Sequence, residues 1–488
     1  MSNCERPNVI IVLTDDQGYG DIARHGNPVV RTPHLDALHD ESVRLQDFHV
    51  DPTCSPSRSA IMTGCYSHRV NVWNTTSGRN HLIKDAVTMA EVFRGNGYRT
   101  GHFGKWHLGG NHPYRPIDRG FDEWLGHGDG GTGTANDYWG NVRVNDTFIR
   151  NGKGEYIEGF AADVFFDEAM SFARESEDQP FFLYLATYIP HTPCTVPDKS
   201  WVDPYRDKVP IHTAYFYAAV ERADTNVGRL RAFLEAEGLA DNTLLIFMTD
   251  NGTTSGSDQV FNAGMRGTKL SIYDGGHRVP CFFYWPAGDL TEPRDVEPIT
   301  AHIDLLPTLI ELCGLKAEDI DFDGASLKPL LDGVPEDWPE RTLVVESQRI
   351  RNPEKWRNCS VMTDRWRLVN GRELYDMPSD SGQQRDVSSD NPEVVETLRG
   401  AYEVYWTRAT QRDEELARPH LGTSAQDEIF LSSIDWVAEE SERPWNQGHV
   451  ASGLDGFGVW HAQVNAAGRY RFEVRRWPRE IDLPMTAV

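Results

Sequence analysis

The chain predicts an α/β fold, a large and mostly parallel central sheet flanked by helices with a smaller antiparallel sheet behind it. Three observations carry that prediction. Short apolar runs repeatedly end in polar or glycine-rich residues, amphipathic stretches of helical period lie between them, and after Pro339 the alternation stops. Buried parallel strands read as near-continuous apolar runs whose carboxyl ends open into functional loops. Strand and helix in alternation build a doubly wound sheet. At 488 residues the chain has the length for one large unit and one or two appendages.

Taken in order, residues 8–13 (NVIIVL) run into Thr14-Asp15-Asp16, and residues 98–103 lead to Gly104-Lys105-Trp106-His107. Residues 181–186 (FFLYLA) lead to Pro190-His191-Thr192-Pro193, and residues 244–248 (LLIFM) to Thr249-Asp250-Asn251-Gly252. Between them, residues 86–95, 161–176 and 214–236 place apolar side chains at helical spacing. These elements assign residues 1–345 to the main α/β domain. Short strands at 342–346, 360–363 and 366–369, then a helix near 394–407, assign 346–411 to a small antiparallel sheet and helix. Residues 412–488 are expected to form a β-rich extension with strands at 429–432, 458–463 and 469–475, the last alternating apolar and charged residues.

Composition removes several function classes. A formal charge of −26 argues against a nucleic-acid surface and against broad capture of any polyanion, so an anionic ligand needs a local basic pocket. No apolar stretch has the length of a membrane span. Seven cysteines (4, 54, 65, 194, 281, 313 and 359) are scattered without metal-type spacing, which fits a reducing compartment. The first residues run straight toward a strand, so the expected location is cytoplasmic, or periplasmic or secreted if a signal peptide has been removed.

The run Thr53-Cys54-Ser55-Pro56-Ser57-Arg58-Ser59-Ala60-Ile61-Met62-Thr63-Gly64 is the most informative in the chain. Proline is tolerated in a first helical turn and glycine closes helices, so a helix here sets residue 54 at its N-terminus. Free N–H groups and the helix dipole favour an anion there, with Arg58 one turn on as a forked donor. A lone cysteine beside a helix start is otherwise an ordinary buried thiol. Asp15, Asp16, Asp250 and Asn251 offer hard oxygen ligands from two strand ends, suited to Ca²⁺ or Mg²⁺ rather than zinc; singly, each pair also reads as a cap or a solvated turn.

With these residues in order, the chain resembles a type I formylglycine-dependent sulfatase, arylsulfatase-like and of the alkaline phosphatase superfamily, over most of residues 8–380. The resemblance implies an alkaline-phosphatase-like fold. It also implies oxidation of Cys54 to formylglycine by a formylglycine-generating enzyme, and a cation, calcium before magnesium, on Asp15, Asp16, residue 54, Asp250 and Asn251. The family's sulfate-binding and catalytic residues match Arg58, Lys105, His107, His191 and, in Arg266-Gly267-Thr268-Lys269, Lys269. Gly275-Gly276-His277-Arg278-Val279-Pro280 resembles its glycine-rich turn, and Leu374-Tyr375-Asp376 its C-terminal subdomain.

What the resemblance implies chemically is hydrolysis of a sulfate monoester, on a carbohydrate or an aryl alcohol, by a hydrated formylglycine. His191, with Lys269, would protonate the departing alcohol, and His107 would take a proton from the second hydroxyl. Two rivals stand beside it. A phosphonate monoester hydrolase or phosphodiesterase shares the fold, but its later metal pair resembles Asp-His where this chain has Asp250-Asn251. A non-catalytic sulfated-glycan binding protein would keep the Cys54 thiol. For the substrate, the glycine-rich residues 126–139 form either a sugar-binding wall, with Asp137, Tyr138 and Trp139, or a packed loop. His68 and His302 are further candidates of that kind, and Cys65 and Cys194 read as structural.

Overall fold

In the computed structural model the apolar runs pair into one sheet whose register fixes the site. The structure describes residues 6–177, 179–256, 260–317, 319–333, 335, 337–437 and 443–487. Ten strands form the main sheet: β1 (Asn8–Asp15), β2 (Val43–Leu45), β3 (Arg99–Lys105), β4 (Glu123–His127), β5 (Val144–Arg150), β6 (Lys153–Phe160), β7 (Phe181–Pro190), β8 (Thr243–Thr249), β9 (Cys281–Tyr284) and β10 (Arg294–Val296). Their spatial order is β10-β2-β9-β8-β1-β7-β3-β4-β5-β6. The central strands β8, β1, β7, β3 and β4 are parallel, while β9 and the β5–β6 hairpin add antiparallel edges.

Strand side chains alternate between two faces, and both faces are buried. Val9, Ile11 and Leu13 enter one apolar core, Ile10 and Val12 the other. On the first face lie the helices α1 (Cys54–Thr63) and α2 (Met89–Gly95), through Ile61, Met62 and Phe93. On the second lie α3 (Ala161–Glu175) and α4 (Ile211–Ala236), through Phe165, Ala169, Ala223 and Val227. Each fully buried aliphatic side chain contributes roughly 1.5–3 kcal/mol, which holds the strand ends in place.

The register then brings the polar ends together. Thr14 pairs with Thr249, Asp15 with Pro190 and Gly104 with Ala186. Because these strands run the same way, Asp15-Asp16, Lys105, His191 and Asp250-Asn251 leave the sheet at one edge.

Behind it, β11 (Leu343–Glu346), β12 (Cys359–Met362), β13 (Trp366–Val369) and β14 (Glu373–Asp376) form an antiparallel sheet in sequential order. The helix α5 (Pro392–Ala409) covers it, packing Val395, Leu398 and Tyr402 on Val361, Leu368 and Leu374. Buried Arg367 reaches back, donating to Asp274 at 3.1 Å and to Asp47 at 2.8 Å.

Element edges differ from the sequence expectation for local reasons. The helix expected from residue 86 begins at Met89, because Thr88 caps it. The Thr88 hydroxyl accepts from the Glu91 N–H at 3.2 Å, and the Glu91 carboxylate accepts from the Thr88 N–H at 2.7 Å.

The β-rich extension is a correction. Between 412 and 487 the described strands are the two-residue His420–Leu421 and Gln463–Val464, and residues 429–432 and 469–475 are irregular. An alternating pattern becomes a strand only where another backbone accepts its hydrogen bonds, and Phe472 and Val474 stand exposed instead. No helix among the described residues is long and apolar enough to cross a membrane.

Candidate active site

Residue 54 opens α1. Thr53 holds the extended N-cap conformation, and Gly64 closes the helix at φ 68° with its N–H on the Ala60 carbonyl at 2.9 Å. The helix starts two residues earlier than Pro56 predicts, but Pro56 still lies in the first turn, where its missing N–H costs nothing. All ten helical residues are buried, so the dipole acts in a low-dielectric setting.

Three cations and three carboxylates interlock around it. The Arg58 guanidinium donates to Asp250 Oδ2 through Nε at 3.0 Å and Nη2 at 2.8 Å, and to the Lys105 carbonyl at 2.6 Å. Lys105 Nζ donates to Asp15 Oδ2 at 2.7 Å, and Lys269 Nζ donates to Asp16 Oδ1. The Asn251 amide donates to Asp16 Oδ1 at 2.9 Å, and the Asp16 N–H to Asp250 Oδ1 at 3.2 Å. Burial opposes ionisation of Asp15, yet Lys105, His191, Arg58 and Lys269 hold it well below the usual carboxylate range. Burial and the adjacent Asp15 charge push Asp250 the other way. Two carboxylates held this close in a buried site repel each other, which a cation between them relieves.

A hard cation fits that arrangement. Ligand atoms of Asp15, Cys54 and Asp250 lie within 4.8 Å of one another, as do those of Asp15, Asp16 and His191. Asp15 Oδ1 and Asn251 Oδ1 are buried acceptors with no hydrogen-bond donor among the described residues. Oxygen donors on adjacent strand ends, two of them unsatisfied, match the needs of Ca²⁺ or Mg²⁺.

The histidines flank this cluster with defined tautomers, assigned from their partners. His107 Nε2 faces the Thr75 carbonyl at 3.0 Å, so it carries the proton and leaves Nδ1 as a buried acceptor with no partner among the described residues. Burial, reinforced by Lys105, keeps His107 well below its ordinary pKa. His191 Nδ1 faces the Thr192 carbonyl at 2.6 Å, and Nε2 lies 3.7 Å from Asp16. Burial lowers it to about 4, with Lys269 adding to the effect against the pull of Asp16. Asp16 and His107 both adopt left-handed backbone, at φ 71° and 64°. Such strain costs on the order of 1–3 kcal/mol and persists where the surroundings fix it.

The four strand ends, the first turns of α1 and the loop carrying Lys269 therefore bring together Asp15, Asp16, Cys54, Arg58, Lys105, His107, His191, Asp250, Asn251 and Lys269. The five expected substrate contacts are arranged differently. His68 is buried, with Nδ1 on Glu346 at 2.5 Å and Nε2 on Asp413 at 2.9 Å, so neither nitrogen is free for a ligand. His302 is buried with Nε2 3.2 Å from the Asp51 carboxylate. Asp137 spends its carboxylate inside its own loop, on the Gly133 and Tyr138 N–H groups and the Asn141 amide, each at 2.8 Å. Trp139 packs edge-on against Trp477 at 5.1 Å, and the Tyr138 carbonyl accepts from Gln447 at 3.0 Å. Of the two readings of residues 126–139, these contacts describe the packed loop. Burial pushes the Cys65 and Cys194 thiols up to about 11, in keeping with structural roles.

Sequence reasoning missed Arg143. Fully buried, it donates to the carbonyls of His191 at 2.6 Å and Thr192 at 3.2 Å and lies over the Tyr188 ring, fixing the His191 loop from behind. Its flanking residues, Val142 and Val144, give no sign of this.

Comparison with known proteins follows the same lines. The family model described as Sulfatase matches residues 7–315. Human arylsulfatase A is 31% identical over 367 residues, covering 67% of this chain and 68% of that protein. Human N-acetylgalactosamine-6-sulfatase is 30% identical over 360 residues, so the match spans about two thirds of either relative. The crystal structure of Ps i-CgsB in complex with k-i-k-neocarrahexaose superposes with a TM-score of 0.74 at 26% identity, covering 84% of this chain and 95% of that one. A cation-ready carboxylate cluster at the edge of a parallel sheet, a basic pocket at a helix start and a family match over most of the main domain agree: the chain belongs to the sulfatase family of the alkaline phosphatase superfamily.

Proposed function

We propose that this protein hydrolyses a sulfate monoester of a carbohydrate or aryl alcohol, releasing the alcohol and inorganic sulfate, with residue 54 as a formylglycine nucleophile. The observation that carries this reading is the juxtaposition of Cys54 with Asp15 and Asp250 inside a ring of Arg58, Lys105 and Lys269. Three fixed cations balance three carboxylates there, so a bound dication leaves net positive charge for an anionic ester.

Asp15, Asp16, residue 54, Asp250 and Asn251 would hold a divalent cation, calcium in preference to magnesium, which supplies Lewis-acid polarisation of bound oxygen. Arg58, Lys105 and Lys269 orient the sulfate oxygens and stabilise charge developing on them. Hydrated formylglycine presents two hydroxyls. One attacks sulfur, its proton passing to the Asp250 carboxylate beside residue 54, as the S–O bond to the alcohol breaks and His191 delivers a proton to the departing oxygen. A sulfate anion beside His191 raises its pKa toward the range this step needs. His107, neutral with Nδ1 open, then accepts the proton of the second hydroxyl. The carbon–oxygen bond to sulfate breaks, sulfate leaves and the aldehyde returns. A serine or thiol ester lacks that internal exit.

A carbohydrate alcohol is supported by the structural neighbour bound to a neocarrahexaose. The test is sulfate release from defined sulfated saccharides and aryl sulfates by protein co-expressed with a formylglycine-generating enzyme. Activity should disappear in Cys54→Ala. Activity surviving that change, a strong preference for aryl phosphonates, or full retention of the Cys54 thiol in an inactive protein would overturn the reading.

A further inference from the structure

Arg58, Lys105 and Lys269 are each committed to a carboxylate, but another guanidinium at the edge of the site is not. Arg349 has no ion-pair partner among the described residues. It lies just beyond β11, and two hydrogen bonds pin its segment to the main domain. The Arg349 N–H donates to the Trp73 carbonyl at 3.1 Å, and Trp73 Nε1 donates to the Ile350 carbonyl at 2.9 Å. Two residues further along that strand of chain, the Thr75 carbonyl holds His107 Nε2 at 3.0 Å. The small domain thus hands Arg349 to the same wall that positions His107.

Its conformation is unusual for a surface arginine. At φ 49° it occupies left-handed backbone, which a non-glycine residue adopts only against a steric cost. The side chain is exposed. Surrounding protein nevertheless depresses its pKa. An arginine reachable by solvent, without a carboxylate partner among the described residues and anchored to the wall that holds His107 stands beside the reaction centre. In a chain of net charge −26 it is a local exception to a field that repels anions.

We propose that Arg349 binds a second oxyanion of the substrate, a carboxylate or sulfate on the same or a neighbouring sugar, beside the sulfate being cleaved; this rests on the reading of the site as a sulfate-ester hydrolase. The guanidinium fork matches either group with two parallel N–H donors, which a lysine cannot reproduce. The preferred substrate is then a doubly anionic saccharide rather than a singly sulfated one.

The test uses the full matured chain and Arg349→Met, with four substrates: 4-nitrophenyl sulfate, a monosulfated neutral saccharide, its disulfated analogue, and a monosulfated saccharide bearing a uronic acid. The expected result is a KM increase about tenfold larger for a doubly anionic saccharide than for the other two, with kcat little affected. Arg349→Lys should recover part of that difference, and the two doubly anionic substrates tell carboxylate from sulfate. Equal losses on all four substrates, or no loss on any, would overturn the proposal. Calorimetry on a Cys54→Ser background separates this from the catalytic reading. There Arg349→Met should weaken binding of a doubly anionic saccharide about tenfold relative to the monosulfated one, whether or not the wild type releases sulfate. Indiscriminate binding would refute the subsite by itself.

Discussion

His107 and His191 each have one ring nitrogen tied to a backbone carbonyl, which leaves Nδ1 of His107 and Nε2 of His191 for chemistry. Their proposed roles fall in different half-reactions, and that gives a prediction. His107→Gln should leave the first step intact and block release, so a stoichiometric burst of alcohol and a sulfated protein should appear by rapid quench and intact mass. His191→Gln should show no burst, and its loss, about 10²–10⁴-fold, should be greater for an alkyl sulfate than for a nitrophenyl sulfate whose leaving group needs no proton. A burst in both variants, or in neither, would reverse or remove the assignment. At this scale the sequence was legible where residue type and motif order coincide: Asp15, Asp16, Cys54, Arg58, Asp250 and Asn251 have few other ways to be useful together. It was illegible where a partner lies far away along the chain. Nothing around His68 announces Glu346 and Asp413, and nothing around Arg143 announces the carbonyls of His191 and Thr192.

Elements fix these residues through register and close backbone approach. Four strands and α1 were legible because each is a run of buried side chains ending at an acid, a proline or a glycine, while 469–475 shows that alternation without a pairing partner stays irregular. The glycine-rich turn is one such close approach. Gly252 donates its N–H to the Gly276 carbonyl at 2.9 Å, and a Cβ on Gly252 would come within 2.0 Å of the Gly275 carbonyl oxygen. Gly252→Ala should therefore displace the 275–276 backbone, cost about 1–3 kcal/mol in stability and lower turnover, since Asn251 precedes it and Lys269 is anchored to the Thr253 carbonyl at 3.1 Å. Gly400 in α5 meets nothing within 4 Å, so Gly400→Ala should instead stabilise by about 0.5–1 kcal/mol with turnover preserved. Urea unfolding and sulfate release on the two variants check this, and equal behaviour would refute the steric argument.

At the scale of the whole molecule, His68 joins all three parts of the chain. It follows α1 in the main domain, its Nδ1 meets Glu346 at the end of β11, and its Nε2 meets Asp413 in the extension. Burial alone would lower its pKa, but Glu346 and then Asp413 outweigh burial and raise it to about 9. A histidine whose folded pKa exceeds its unfolded value of about 6.5 stabilises fully below that value and loses the contribution as pH climbs through the folded one. The shift corresponds to about 3 kcal/mol. His68→Gln should thus unfold at markedly lower urea than the wild type at pH 6, with the gap closing toward pH 9.5. The large negative net charge is present in both proteins, so its own pH dependence cancels in the comparison. A deficit that stays constant from pH 6 to 9.5 would mean that His68 acts by packing against Trp73 and Trp406 rather than by charge. A closing gap, with turnover of 4-nitrophenyl sulfate falling in parallel, would mean that the ion triad holds the small domain and the extension against the wall carrying Trp73 and Thr75, and through Thr75 sets the position of His107.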